Sequence, residues 1–373
     1  MNIFVGFILL FLLAQALLTV VQVLLRKKKL KPGIHILFAV IKALVAVAFA
    51  ACVMAGPVQL RKLQPFMMAA YVVLLADAGV DLVYSIVVAI AKKERRFAVV
   101  KTLSLVCGVL FLTYGILNME IVTPKYHTYS SEKLTQPHKF VFVADLHTGS
   151  AQPLSVTAKT VEKIKTEQPD FLVLGGDIVD DYTTKQQMQD TFALFKDLGF
   201  QVYYLYGNHD RQGHAEYANG LQYTQQDLED AMTANGVIIL KDTFVQISDD
   251  LLLLGREDIT EGEGRADPIT LANPNPASYL IVADHQPVEF VKKNLMFGTD
   301  LQVSGHTHAG QLFPLKWLYT LIGGYVYGDY TYENAIMNVS AGACGWRMPL
   351  RTDAHCNFEV ITLNPASSLP END

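Results

Sequence analysis

The chain has 373 residues, of which 51% are hydrophobic and only 18% charged, and its net charge is −6. A soluble globular protein carries about 25% charged residues, so part of this sequence is unusually apolar, and disordered, coiled-coil and collagen-like chains are excluded. The charge is unevenly divided: residues 1–120 hold 13 Lys and Arg against 4 Asp and Glu (+9), and residues 121–373 hold 17 against 32 (−15). A domain that acidic excludes nucleic acid as a partner.

Four apolar runs come first, at about 3–25, 33–56, 66–91 and 97–118. Each reaches the roughly 20 residues that cross a bilayer core, so residues 1–120 read as a transmembrane region of four helices. The first run has no basic start and no small-residue cleavage pattern, which disfavours a cleaved signal peptide. The loop Arg26–Lys31 carries five basic residues and Lys92–Arg96 carries four, against Arg61 and Lys62 in the second loop. Basic loops stay in the cytoplasm, which leaves both termini and the acidic domain outside. Lys42, Asp77 and Asp81 fall within the spans. Asp77 and Asp81 share a helix face and lie at a depth similar to Lys42, as either a proton or substrate path or an interhelical salt bridge. Lys101, near a span end, is expected to snorkel to the interface.

Residues 121–138 read as an irregular linker, 139–363 as an α/β domain and 364–373 as a frayed tail. Strands are expected at Lys139–Ala144, Phe171–Leu174, Gln201–Tyr206, Val237–Leu240, Leu251–Leu254, Tyr279–Ala283, Leu301–Val303, Ala335–Val339 and Phe358–Leu363. Helices are expected at Leu154–Thr166, Gln186–Leu198, Thr224–Asn235 and Val288–Asn294. The early alternation predicts a partly parallel sheet, and the later run of strands a second one. Cys52 and Cys107 act as small hydrophobes in the spans, while Cys344 and Cys356 form either a disulfide or two buried thiols.

Five expected strands end in ligand-type residues: Asp145-Leu-His147, Gly175-Gly176-Asp177, Gly207-Asn208-His209-Asp210, Asp284-His285-Gln286-Pro287, and Gly305-His306-Thr307-His308-Ala309-Gly310-Gln311. Ligands gather at the carboxyl ends of strands in open α/β sheets, so the five can converge on one cleft. Carboxylate, imidazole and amide oxygen suit Mn²⁺, Fe or Zn²⁺. Asp145, His147, Asp177, Asn208, His285, His306 and His308 would serve two ions, with Asp177 able to bridge them. Such a set leaves positions open for water and substrate.

The order D-x-H, G-D, G-N-H-D, H, G-H-x-H resembles the calcineurin-like metallophosphoesterase superfamily. Gly305–Pro314 together with Asn338-Val-Ser-Ala-Gly342 is similar to its membrane-attached bacterial branch and to animal transmembrane proteins with a metallophosphoesterase domain. The resemblance covers about residues 138–363. It implies a four-layer αββα sandwich, one metal held by Asp145, His147, Asp177 and His308, and a second by Asp177, Asn208, His285 and His306. Ala309, where the branch usually has Gly, and Arg256 within Gly255-Arg-Glu-Asp258 depart from the pattern.

In the mechanism this implies, a metal-bridging hydroxide attacks phosphorus. His209 is the general acid or a donor to the transition state, and Asp210 either orients its ring or caps a turn. Arg256 is expected either to bind phosphate or to pair with Glu257 or Asp258, and Arg347, beside Trp346, to contact a head group or pack on the surface. His214 reads as a loop residue. Tyr182, Tyr217 and the 323–332 stretch would form an aromatic rim or rest on lipid head groups. A membrane-anchored phosphoesterase in a bacterial inner or cytoplasmic membrane, cleaving a phosphodiester, phosphomonoester or pyrophosphate in a lipid-linked substrate, is the leading expectation. A UDP-diacylglucosamine-type pyrophosphate hydrolase at the cytoplasmic face, an inactive phosphoesterase-fold sensor and a transporter accessory domain are the rivals.

Overall fold

The computed structural model describes residues 3–25, 31–54, 64–93, 96–149, 151–214 and 220–366. The charges at 26–30, Arg61, Lys62, Glu94 and Arg95, Tyr217, the tail from 367 and the side chain of Cys52 lie outside the described residues. The chain divides into two compact units, 1–117 and 118–373.

The first unit consists of α1 (Ile3–Leu25), α2 (Pro32–Met54), α3 (Gln64–Ile90) and α4 (Phe97–Leu117). Among the described residues, Gly33–Ala50, Gln64–Ile90 and Phe97–Leu117 are long and apolar enough to cross a membrane, and Leu10–Gln22 of α1 is a shorter apolar stretch. α2 packs against both α1 and α3, and α3 against α4. Lys42 is fully buried, and its Nζ donates to Gln22 at 2.7 Å and to Asp77 and Asp81 at 3.1 Å each. Gln22 donates to Asp81 at 2.9 Å, and Gln15 to the Lys42 carbonyl at 2.6 Å. Of the two sequence readings, the interhelical salt bridge is the one that forms, and Gln15 and Gln22, which sequence reasoning passed over, complete it. Lys101 does not snorkel; its Nζ reaches Asp77 at 2.6 Å, since a carboxylate one helix away offsets the cost of leaving water.

The second unit holds two six-stranded mixed sheets. The first runs β1 (Val122–Ser131), β12 (Cys356–Pro365), β2 (His138–Val143), β3 (Phe171–Leu174), β4 (Gln201–Tyr204), β5 (Val237–Ile239) across the sheet, with β2 to β5 parallel. The second runs β10 (Gly328–Tyr332), β11 (Ala335–Val339), β9 (Leu301–Ser304), β8 (Tyr279–Ala283), β7 (Leu251–Gly255), β6 (Thr243–Ser248). Strand alternation sorts the side chains. Val141 and Val143 face α5 (Leu154–Thr166), α6 (Lys185–Ala193) and α7 (Gln225–Ala234), in one core with Ile164, Phe192 and Met232. Phe140 and Phe142 join Leu253, Ile281 and Val303 in the core between the sheets. Capping boxes at Thr184/Gln187 and Thr224/Asp227 start α6 and α7.

Three strands were not expected, and all three are sheet edges: β1, which occupies the supposed linker, β6 and β10. An edge strand pairs on one side only and carries polar side chains, so its periodicity is weak. The helix expected at Val288–Asn294 resolves into 3-10 turns at Pro287–Glu289 and Asn294–Phe297. Cys344 and Cys356 are buried free thiols rather than a disulfide. At the β1 and β10 edges, His127 Nε2 lies 2.6 Å from Glu359 of β12, and its Nδ1 lies 3.7 Å from Asp329 of β10, so one imidazole ties the two sheets.

Candidate metal centre

The loops after β2, β3, β4, β8 and β9 supply Asp145/His147, Asp177, Asn208/His209, His285 and His306/His308 in turn. Parallel strands place these carboxyl ends together, and both sheets contribute. Ligand atoms of Asp145, His147 and His308 lie within 4.8 Å of one another, as do those of Asp177, His285 and His306. Asp177 Oδ2 links the groups, 3.3 Å from His285 Nε2 and 3.8 Å from His147 Nε2. Asn208 Oδ1 lies 2.8 Å from His306 Nδ1 and 3.2 Å from His285 Nε2. All seven residues expected as ligands are thereby brought together.

The imidazoles are aimed from behind. His285 Nδ1 donates to the Gly175 carbonyl at 2.9 Å and His308 Nδ1 to that of Cys344 at 3.0 Å, while His147 Nδ1 lies 3.2 Å from Asp180. This leaves each Nε2 turned to the carboxylates, the arrangement that supports a metal-bound imidazole. Five of the seven stand in the left-handed region: Asp145 (φ 58°), His147 (44°), Asp177 (53°), His306 (73°) and His308 (49°). Such backbone is uncommon outside glycine and collects at functional sites. Ala309 shares it (φ 48°), so the methyl sits where the resemblance expects Gly. The chain also leaves no room for side chains beside the carboxylates: a Cβ on Gly305 would lie 2.6 Å from Asp145 Oδ2, and one on Gly207 would collide with Asp177.

Burial and the neighbouring His285 hold His306 down at about 4, and burial with His147 holds His308 well below the usual imidazole range, so both offer lone pairs at neutral pH. Burial opposes ionisation of Asp177, but His285 and His209 outweigh it and keep the carboxyl well below its usual range. Burial likewise opposes charge on His147, yet Asp180 and Asp177 push it up to about 9. Two imidazoles held neutral at His306 and His308, imidazoles at His147 and His285 that would release a proton on binding an ion, carboxylates and one amide oxygen, backed by hydrogen bonds and crowded by glycine, fit divalent cations.

His209 Nδ1 lies 2.6 Å from Asp181 Oδ2, and its ring centre is 5.8 Å from that of His147 and 5.8 Å from that of Trp346. Asp181, not Asp210, is therefore the partner of this ring. The Asp210 carboxylate points the other way and accepts backbone N–H groups from Gly207 (2.7 Å), Asp177 (2.8 Å), Ile178 (2.9 Å) and Val179 (3.2 Å). Sequence reasoning missed Asp180 and Asp181, although the run Asp177-Ile-Val-Asp180-Asp181 carried the signal. It also missed Arg351, fully buried, whose guanidinium donates to the carbonyls of Ala341, Cys344 and His308 and so holds the loops behind His308.

Arg256 differs from both of its expected roles. It is fully buried, pairs with Asp242, donates to the Ala266 carbonyl at 3.0 Å and lies over the Phe297 ring. Glu257 instead takes Arg211 through two bonds of 3.0 and 2.7 Å. The β7 end allows either direction for its side chain, and Asp242, at the turn before β6, wins it. Arg347 stacks on Trp346 with its guanidinium 4.1 Å from the ring. His214 is exposed, with its ring 5.7 Å from His209, and Tyr182 is half-buried. The 323–332 stretch forms β10 and the turn before it, pinned by the Val326 N–H donating to Tyr330 at 2.8 Å.

Residues 138–310 match the calcineurin-like phosphoesterase family. An uncharacterized metallophosphoesterase of Campylobacter jejuni is 26% identical over 76% of this chain and 76% of its own length. One from Helicobacter pylori is 27% identical over 63% of this chain, and the match spans only 62% of that relative. A Bos taurus transmembrane protein with metallophosphoesterase domain is 24% identical over 74% of this chain and 64% of its own length. Over residues 138–310 the chain is similar to calcineurin-like phosphoesterases, and the relatives named metallophosphoesterase support a metal-dependent phosphoester hydrolase.

Proposed function

We propose that the chain is a membrane-anchored phosphoesterase with a dinuclear centre. Asp145, His147, Asp177 and His308 hold one ion and Asp177, Asn208, His285 and His306 the other, with Mn²⁺ the first candidate and Fe or Zn²⁺ alternatives. The observation that carries this reading is the pair of three-ligand groups joined through Asp177. Bound divalent ions supply Lewis-acid polarisation of the phosphoryl oxygens and acidify water. In hydrolysis, a water oxygen would bond to phosphorus, releasing one proton to solvent, as the bond to the leaving oxygen breaks. His209, held by Asp181, gives that oxygen its proton.

The substrate proposed is a lipid-linked phosphate ester. Four residues separate α4 from β1, so the domain is joined to the apolar helices by a short linker, which supports a substrate that is itself held in a bilayer. The basic loops favour an extracytoplasmic domain in a bacterial cytoplasmic membrane, where a phospholipid head group is the natural substrate. The test is hydrolysis by the purified full chain, stripped by chelator and reloaded with Mn²⁺, Fe²⁺ or Zn²⁺, on lipid and p-nitrophenyl phosphate esters. Activity should return with metal and be lost in Asp177→Asn together with metal content. Unchanged content and turnover in that variant would refute the assignment. A cysteine placed at Ser368 should react with an impermeant reagent in intact cells. Labelling only after lysis would reverse the topology and favour a UDP-diacylglucosamine-type substrate.

A further inference from the structure

Directly after His308 the chain enters α8 (Leu315–Leu321), whose outer surface is apolar and bare. Leu315 is buried, but Trp317 is 67% exposed, Leu321 83% and Ile322 79%, with Phe313, Leu318 and Tyr319 exposed beside them. Trp317 and Leu321, and Leu318 and Ile322, are four residues apart, so these four side chains cover one face of the helix and its end. A contiguous apolar patch of this kind marks an interaction surface.

We propose that Phe313–Ile322 docks on the lipid bilayer and sets the mouth of the metal centre against the head-group layer; the proposal rests on the membrane-anchored reading above. Three observations choose a bilayer. First, four residues separate α4 from the domain's first strand, so a linker of at most about 18 Å of extended chain joins a membrane-type helix to the domain. Second, no Asp or Glu occurs between Asp300 and Asp329, and Lys316 is the one Lys or Arg there, in a domain whose balance is −15. Elsewhere the acidic surface would be repelled by phosphate-bearing head groups; here it would not. Third, the patch combines Trp and Tyr with Leu and Ile, the mixture that settles at the boundary between head groups and acyl chains.

The patch is rigidly joined to the site. A Cβ on Gly310 would lie 2.5 Å from the Lys316 backbone nitrogen, so α8 abuts the ligand-bearing turn. The Gln311 side chain donates to the Trp346 and Leu350 carbonyls at 3.2 and 3.0 Å and accepts from the Trp346 N–H at 2.9 Å. Docking α8 therefore fixes His308 and Trp346 relative to the lipid surface.

The chain has two tryptophans, so Trp346→Phe leaves Trp317 as sole reporter. The full-length variant is reconstituted in phosphatidylcholine–phosphatidylglycerol nanodiscs whose lipids carry bromine near the head group or near the chain end. Trp317 emission should be quenched by bromine, more by the shallow position, and little by aqueous iodide. Quenching by iodide alone would mean a bare face. Protection from both would mean that protein covers it, a second copy included. Either result overturns the proposal. In Leu321→Asp/Ile322→Asp, hydrolysis of a bilayer-embedded phosphate ester should fall about tenfold or more, with p-nitrophenyl phosphate turnover unchanged. Equal turnover of the embedded ester by variant and parent would remove the functional half of the proposal. Failure of the phosphoesterase reading itself would appear differently, as no turnover of either ester with the quenching intact.

Discussion

Asp181 Oδ2 lies 2.6 Å from His209 Nδ1, and the other oxygen of the same carboxylate accepts the His214 backbone N–H at 2.8 Å. The ring is held by a residue 28 positions away rather than by its neighbour. With Nδ1 engaged, Nε2 is the nitrogen left for substrate.

His209→Asn should lower kcat by about 10²–10⁴, the usual loss for acid–base catalysis, while metal content is retained. Asp181→Asn should give a smaller loss in the same direction. Both losses should shrink for esters with a good leaving group such as p-nitrophenol, which needs little help from a proton. The measurement is kcat across a leaving-group series; a uniform loss would show that the pair orients phosphate instead.

Asp210 should behave as a structural staple. Asp210→Ala strands four buried N–H donors, so a destabilisation of at least about 3 kcal/mol is expected. Thermal unfolding of the metal-loaded chain checks this. A fully stable variant with a selective kcat loss would return Asp210 to the ring-orienting role.

Lys42 should be indispensable alone and partly dispensable in company. Lys42→Met removes one partner of the buried Lys42–Asp81 ion pair, a change that costs about 3–5 kcal/mol. Adding Asp81→Asn should recover folded yield in detergent, because no unpaired charge is then left. No recovery would indicate a role for these charges beyond packing.

His127 should make stability fall with alkaline pH. Burial opposes its charge, but Asp329 and Glu359 outweigh it and push the imidazole from 6.5 up to about 9. A group raised on folding contributes fully below its unfolded value and loses that contribution as pH rises through its folded one. The stabilisation, up to about 3 kcal/mol, is therefore present below pH 6.5 and gone above about pH 9. The stability gap between the parent chain and His127→Gln, followed from pH 6 to 10, should close across that window. A constant gap would assign the effect to packing.

The residues that converge on the cleft were legible because each ends a hydrophobic strand and is flanked by glycine or another ligand type. Directions of side chains were not. Asp210 follows His209 in sequence, yet successive residues in a tight turn point apart, so adjacency misled. Arg256 could be placed at a strand end but not assigned to Asp242, which sits 14 residues earlier. β1, β6 and β10 were hidden because edge strands need no continuous apolar face. Lys101 was misjudged because snorkelling and pairing leave the same mark in sequence, and only the distance to Asp77 separates them.

Asp145, His147, Asp177, His306 and His308 bring five positive φ angles into one centre. Each costs on the order of 1 kcal/mol relative to glycine, which adopts that backbone freely. Replacing any of the five by glycine relaxes the chain at the point where function needs it bent. A library selected for heat resistance alone should therefore accumulate glycine at these positions and lose turnover as it gains melting temperature. One selected for turnover should keep the strained residues and find its stabilising changes elsewhere.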